Sequence, residues 1–457
     1  MIQKTKFDLA MIANIKLFKT GKTIVIGLIL AQSLLLAYLM RPLQDDYFSL
    51  YSVQEMGVFG YLKDTWLHHG GNMVQFFIHC VVILPTTQSF SYWNLSLFFL
   101  VTQLLCFWTI RMIMVWLLLG KIKNFQFWLP LLSLAGFEGL FVPGFLGTFG
   151  FSLATLGHLW PVMAFVAGLI GLKKFRGSWL IAFIFGLIAG NSNLGESAFA
   201  LGAIFIILLS FFKVKDFELK SGIRRDCNFY ALTVGAITGT IGIALAPGFW
   251  NRASGQVGLP GSFSDFIFRF AKSFASFSAD AVTHPMVWVL FFLGATIPKS
   301  IALELNAFSV FRTNLIAIGS VLIWFALIMG STFAYPSWHQ SMGMYILLFP
   351  SGFMLGALTR NQLLSQHAKR LLIIVSVVMI FTFLRIGALG TTRAETWDRN
   401  LPLNICSLKS NPDADLYGAE IRYPPFDLGV EDVNTWKWMR DKYAGWVGNI
   451  PNQIKCP

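Results

Sequence analysis

Apolar runs of helical length, separated by short polar stretches, set the pattern of this chain. The first covers residues 23–40, about long enough to cross a bilayer as a helix. Later runs lie near residues 94–119, 127–142, 156–172, 179–190, 198–212, 229–246, 286–297, 314–331, 342–358 and 371–389. A shorter run, 73–84, ends at Pro85 and is predicted to be re-entrant or interfacial. Between the first run and this one, Phe59, Leu62 and Trp66 recur on one helical face and predict a helix lying on a membrane surface. Phe263, Phe266, Phe270, Phe274 and Phe277 recur at steps of three and four, the stripe of an amphipathic surface helix. Ser262 and Asp265 form a capping-box pattern at its start.

Composition agrees with a polytopic membrane protein. The 457 residues are 55% hydrophobic and only 12% charged, with a mean hydropathy of +0.63. Soluble domains carry about twice that charge fraction. The net charge of +13 does not point to nucleic acid, because the basic residues sit in short loops between apolar runs.

Those loops orient the chain. Lys4, Lys6, Lys16, Lys19 and Lys22 precede the first run and hold the N-terminus in the cytoplasm. Lys121/Lys123, Lys173/Lys174/Arg176, Lys213/Lys215/Lys220/Arg224/Arg225 and Arg360/Lys369/Arg370 fall on the same side if the chain makes about eleven crossings. The expected fold is therefore all-α and polytopic, with a membrane body over residues 1–389. A polar extracytoplasmic tail follows over residues 390–457. No small-residue cleavage site follows the first run, so it is read as a retained signal anchor. Of five cysteines, only Cys406 and Cys456 lie in the tail, and a disulfide between them is predicted. No metal-ligand spacing is present.

The stretch Arg41-Pro42-Leu43-Gln44-Asp45-Asp46-Tyr47 places two adjacent carboxylates where the chain leaves the first run. The pair reads either as a solvated helix end or as a functional site, and acidic residues this near hydrocarbon favour the second. Ala246-Pro247-Gly248-Phe249-Trp250-Asn251-Arg252 precedes the phenylalanine stripe. Arg252 either anchors its helix to phospholipid headgroups or grips a substrate phosphate through paired hydrogen bonds. In the turn 191–197, Glu196 either accepts hydrogen bonds from sugar hydroxyls or sits at a helix N-terminus with Asn193 as cap. His158 beside Trp160, and His339 beside Trp338, are candidates for sugar contact or ordinary interfacial residues. His69 joins them as a candidate on the outer face.

The acidic pair after the first run, the interfacial helix following it, the re-entrant segment and the polar outer tail together resemble the GT-C class of integral-membrane glycosyltransferases. Within that class the chain is similar to bacterial enzymes that glucosylate O-antigen. The resemblance implies transfer of a sugar, glucose, from a polyprenyl-phosphate carrier to a lipopolysaccharide glycan on the outer face of the inner membrane. It implies Asp45 or Asp46 as the base that takes the acceptor's proton. Arg252, Arg41 or Lys63 would stabilise the leaving phosphate. No cofactor is implied, and a divalent metal at Asp45/Asp46 stays open. The competing functions are a transporter or flippase of lipid-linked sugar and an O-antigen polymerase. A transporter is expected to carry charges near mid-membrane and often an internal repeat. Here the charges gather at outer helix ends, apart from Arg111.

Overall fold

A computed structural model describes residues 27–42, 45–117, 155–171, 178–192, 200–205, 227–256, 260–283, 285–296, 352–359, 362–417 and 437–449, together with 153, 197, 422–423, 426–427 and 456. The described chain is mostly helical, with one antiparallel pair of two-residue strands. In it Arg422–Tyr423 (β1) pairs with Phe426–Asp427 (β2), Arg422 opposite Asp427. The expected runs at 127–142 and 314–331 lie outside the described residues.

Helix α1 (Gly27–Tyr38) leads to Arg41. Helix α2 (Asp45–His68) is kinked at Gly57, whose φ of 69° and ψ of 173° suit a residue without a Cβ. The kink is sharp. The hydroxyls of Ser49 and Tyr61 lie 2.8 Å apart, whereas twelve residues of straight helix would separate them by about 18 Å. Helix α3 (Met73–Thr87) packs against α2, with Phe76 edge-on to Tyr61 at 5.8 Å. The expected apolar face of α2 is divided between exterior and interior. Phe59 is exposed, while Tyr61, Leu62 and Thr65 are buried. The reason is that α2 meets α3 along the Tyr61 side, and that register sends Phe59 outward.

Helix α4 (Trp93–Leu117) and helix α7 (Cys227–Ala244) contain the two stretches, among the described residues, that are long and apolar enough to cross a membrane. Each exposes an apolar stripe at helical spacing: Leu97, Val101, Leu104 and Trp108 on α4, and Tyr230, Val234, Ile237 and Ile241 on α7. Their opposite faces are buried. Helix α5 (Trp160–Val166) lies between π-helical turns at Thr155–Leu159 and Ala167–Gly171.

Helix α6 (Trp179–Gly190) crosses α7 at close range through two Gly-x-x-x-Gly pairs. A Cβ on Gly186 or Gly190 would strike the backbone of Leu232 or Ala236, and one on Gly235 or Gly239 would strike that of Phe183 or Asn191. Small residues let two helix backbones approach this closely. At the end of α6, buried Asn191 donates to the carbonyls of Gly71 (3.0 Å) and Gly239 (2.9 Å) and accepts from the Val74 amide (2.7 Å). One side chain thus ties α6 and α7 to the start of α3.

Helix α8 (Pro247–Gln256) abuts the end of α2, where a Cβ on Gly248 would meet the backbone of His68 and His69. Helix α9 (Phe263–Thr283) carries the phenylalanine stripe. Its start is capped as expected: Ser262 Oγ accepts from the Asp265 amide at 3.1 Å and Asp265 accepts from the Gly261 amide at 3.1 Å. Helix α10 (Pro285–Ala295) follows.

Helix α11 (Gln362–Ser410) is 49 residues, about 74 Å of helix. The expected division at 389/390 falls inside it, with no break in secondary structure. Gly387 meets Gln32, and Gly390 faces Leu36 and Leu39, so α11 runs beside α1. Helix α12 (Lys437–Asn449) returns the chain onto α2. Gly445 lies against the Tyr51 ring, Asn449 donates to Glu55 at 2.6 Å, and Lys442 sits over the rings of Tyr51 (4.6 Å) and Phe48 (5.1 Å). The predicted Cys406–Cys456 disulfide is present, with Cα atoms 5.4 Å apart.

Candidate functional site

The start of α2, the middle of α3, the distal part of α11 and helix α12 meet around Asp46 and Tyr47. Asp46 is wholly buried, and its carboxylate accepts a hydrogen bond at 2.9 Å from Nε2 of His79, equally buried on α3. The solvated-pair reading of this position is therefore corrected for Asp46. The kink at Gly57 turns α2 so that α3 covers its first turns, and the carboxylate faces His79 instead of water. Nδ1 of His79 has no hydrogen-bond partner among the described residues. Asp45 begins α2, and its side chain lies outside the described residues.

Tyr47 is the centre of an aromatic cluster. Its ring stacks on Trp397 at 5.8 Å and Trp446 at 6.2 Å and meets Tyr443 edge-on at 5.2 Å. Burial pushes its phenol well above the ordinary value, so it stays protonated and donates to the Pro42 carbonyl at 3.1 Å. That bond ties the start of α2 to Pro42. Trp397 Nε1 donates to the Tyr92 hydroxyl at 3.2 Å, and Asn404 donates to the Tyr443 hydroxyl at 3.1 Å.

Two arginines border this cluster. Arg41 makes a fork-to-fork pair with Asp398, Nε to Oδ1 at 2.8 Å and Nη2 to Oδ2 at 2.6 Å. It also donates to the carbonyls of Tyr38 and Met40 and lies 5.0 Å over the Tyr92 ring. Burial lowers its pKa, but the hydrogen bonds and charge of Asp398 outweigh burial and hold it above the ordinary value. Arg41 is thus a structural clasp between the end of α1 and α11. Arg393 is different. It is 2% exposed, and neither its Nε nor its Nη2 has a hydrogen-bond partner among the described residues. Burial pushes its pKa down to about 10, partly offset by Tyr47 and Asp46, so it remains cationic near neutrality.

The other expected residues scatter. Lys63 is exposed on the second half of α2, and His69 is exposed at its end, edge-on to Phe76 at 5.7 Å. His158 is buried in the π-helical turn Thr155–Leu159, not on an open outer end. The neighbouring Trp160 stacks on Phe98 at 5.5 Å and donates to Thr102 at 3.0 Å. Arg252 lies in α8, its side chain outside the described residues, as are Asn193, Glu196, Trp338 and His339 entirely. Among the described residues no group of three or more His, Cys, Asp or Glu side chains gathers to hold a metal ion.

His79, Arg393, Trp397, Tyr443 and Trp446 were not legible as site residues in the sequence. His79 carried a signal of its own: an ionisable residue inside the apolar run 73–84 is a functional candidate by position. The arrangement offers a carboxylate oriented by an imidazole, and a buried cation with two donor nitrogens that have no partner among the described residues. Comparisons of this chain with protein-family models, with curated proteins and with solved structures find no match.

Proposed function

We propose that this chain is a polytopic inner-membrane glycosyltransferase of the GT-C type. In this reading it crosses the membrane about eleven times and moves a sugar, glucose, from a polyprenyl-phosphate donor to an O-antigen-type glycan on the outer face. The observation that carries it is the buried Asp46–His79 pair at the end of the first apolar helix, together with Arg393, whose buried Nε and Nη2 have no hydrogen-bond partner among the described residues. Sugar transfer of this kind needs a base for the acceptor hydroxyl and a cation for the departing phosphate. The exposed apolar stripes of α4 and α7 suit contact with lipid, since apolar faces this continuous are covered in a stable protein.

The roles then divide within the acidic pair. Asp46 is held by His79 and fixes the first turn of α2. Asp45, its neighbour, takes the acceptor's proton. Arg41, already committed to Asp398, holds the site together and does not meet the phosphate. Mass analysis of surface glycans from cells with and without the gene tests the function. An added hexose on the repeat unit, present only with the gene, is the expected result; identical glycans with the protein expressed would overturn it.

A further inference from the structure

The donors and acceptors around Tyr47 do not balance. The carboxylates and phenol oxygens are engaged: Asp398 by Arg41, Asp46 by His79, the Tyr92 hydroxyl by Trp397 and the Tyr443 hydroxyl by Asn404. The donors are left over. Among the described residues, two buried donor nitrogens of Arg393, Nε and Nη2, and the indole N–H of Trp446, wholly buried, have no partner. Trp446 stacks on Tyr47, and Arg393 interacts electrostatically with the same residue. Buried donors are almost always paired, and leaving one unmade costs its full desolvation. A cationic group in this state costs still more. The group that would balance the set is an anion with several oxygen acceptors. Arg393 also stands just past the apolar stretch 371–389 of α11, where a ligand with an apolar tail and a charged head would present its head.

We propose that Arg393 and the Trp446 indole N–H form an anion site, contributed by the C-terminal segment, that binds the phosphate ester of a lipid. Planar guanidinium donors match phosphate oxygens in pairs, which an ammonium cannot do. The site explains why the chain returns helix α12 onto α2: without α12 the indole donor is missing. It deepens the transfer reading and rests on it for the identity of the lipid as an isoprenoid carrier.

Binding measured without any transfer separates the two. Titration calorimetry on the full chain in phospholipid-free detergent would use farnesyl phosphate, farnesol, dihexanoyl-phosphatidylglycerol and inorganic phosphate. Farnesyl phosphate is expected to bind and farnesol not. Arg393→Gln should weaken binding about 10- to 100-fold, and Trp446→Phe, which keeps the ring stack, by about 3- to 10-fold. Arg393→Lys, the variant to use if the glutamine does not fold, should bind about 10-fold more weakly than wild type, since charge survives and the fork is lost. Tighter binding of farnesyl phosphate than of the phosphatidylglycerol assigns an isoprenoid carrier; the reverse order assigns a phospholipid headgroup, and both support the site. Inorganic phosphate binding as tightly as farnesyl phosphate overturns the lipid ester. Wild-type affinity in folded Arg393 and Trp446 variants overturns the site, leaving the transfer reading standing. Arg393-dependent binding in a protein that never transfers sugar leaves the site standing and ends the transfer reading.

Discussion

The Asp46–His79 pair makes the sharpest stability prediction. Both side chains are 0% exposed and joined at 2.9 Å, so neither has water to fall back on. Replacing His79 by alanine leaves a buried carboxylate without its imidazole donor. Leaving a buried acceptor unsatisfied costs about 1–3 kcal/mol, and more when the acceptor is charged. Asp46→Asn is milder, because an amide oxygen still accepts from Nε2. It forfeits the charge-assisted part, leaving a neutral bond worth about 1 kcal/mol. The double variant should then be less damaged than the sum of the singles, because the buried charge and its lost donor disappear together. A coupling of about 1.5–3 kcal/mol is expected. The assay is a double-mutant cycle in detergent, read by the population of protease-cleavable states under native conditions. Distant, independent sites add within about 0.3–0.5 kcal/mol. Additivity to that level would refute the claim that the two side chains share one buried hydrogen bond.

Three further outcomes follow from the packing. Reducing the Cys406–Cys456 disulfide, which closes a sequence separation of 50, should remove about 4 kcal/mol of support from the C-terminal segment. Limited proteolysis should then cut near α12, and unchanged protection after reduction would contradict its role in holding α12 on α2. Gly186→Leu or Gly190→Leu should separate α6 from α7 and cost at least about 1–3 kcal/mol, whereas Phe59→Leu, on an exposed position, should change stability by less than about 0.5 kcal/mol; apparent melting temperatures compare them. The Arg269 side chain and the Gly261 amide hold the Asp265 carboxyl below its ordinary value, so capping of α9 should be intact above about pH 4 and fade as acid protonates Asp265. Circular dichroism of a peptide covering residues 260–283 reads this, and helicity that rises on acidification would reverse the sign.

What could be read from sequence was whatever periodicity alone decides. The runs near 94–119, 179–190, 229–246 and 286–297 correspond to helices Trp93–Leu117, Trp179–Gly190, Cys227–Ala244 and Pro285–Ala295. The capping of α9 and the disulfide followed from local pattern and from cysteine placement. The kink at Gly57 was not legible, because a glycine inside a helical pattern does not announce its φ. That one angle controls much of the site. It brings Tyr61 back to Ser49 and lets α3 bury Asp46, while Phe59 stays exposed. Arg393 was hidden for another reason: its meaning depends on α12 arriving from more than 40 residues downstream. Arg41 looked like a free cation beside the acidic pair, and only the fold reveals Asp398 opposite it.

The acidic pair carries the central claim, and charge removal without change of shape tests it most directly. Asp45→Asn and Asp46→Asn, each expressed and inserted at wild-type level, are assayed with membranes, a radiolabelled polyprenyl-phosphate glucose and a lipid-linked O-antigen acceptor. Loss of a general base lowers transfer about 10²- to 10⁴-fold. The account predicts a loss of this size in Asp45→Asn, with a smaller loss in Asp46→Asn through the weakened hold of His79. Wild-type transfer rates in both variants would contradict it.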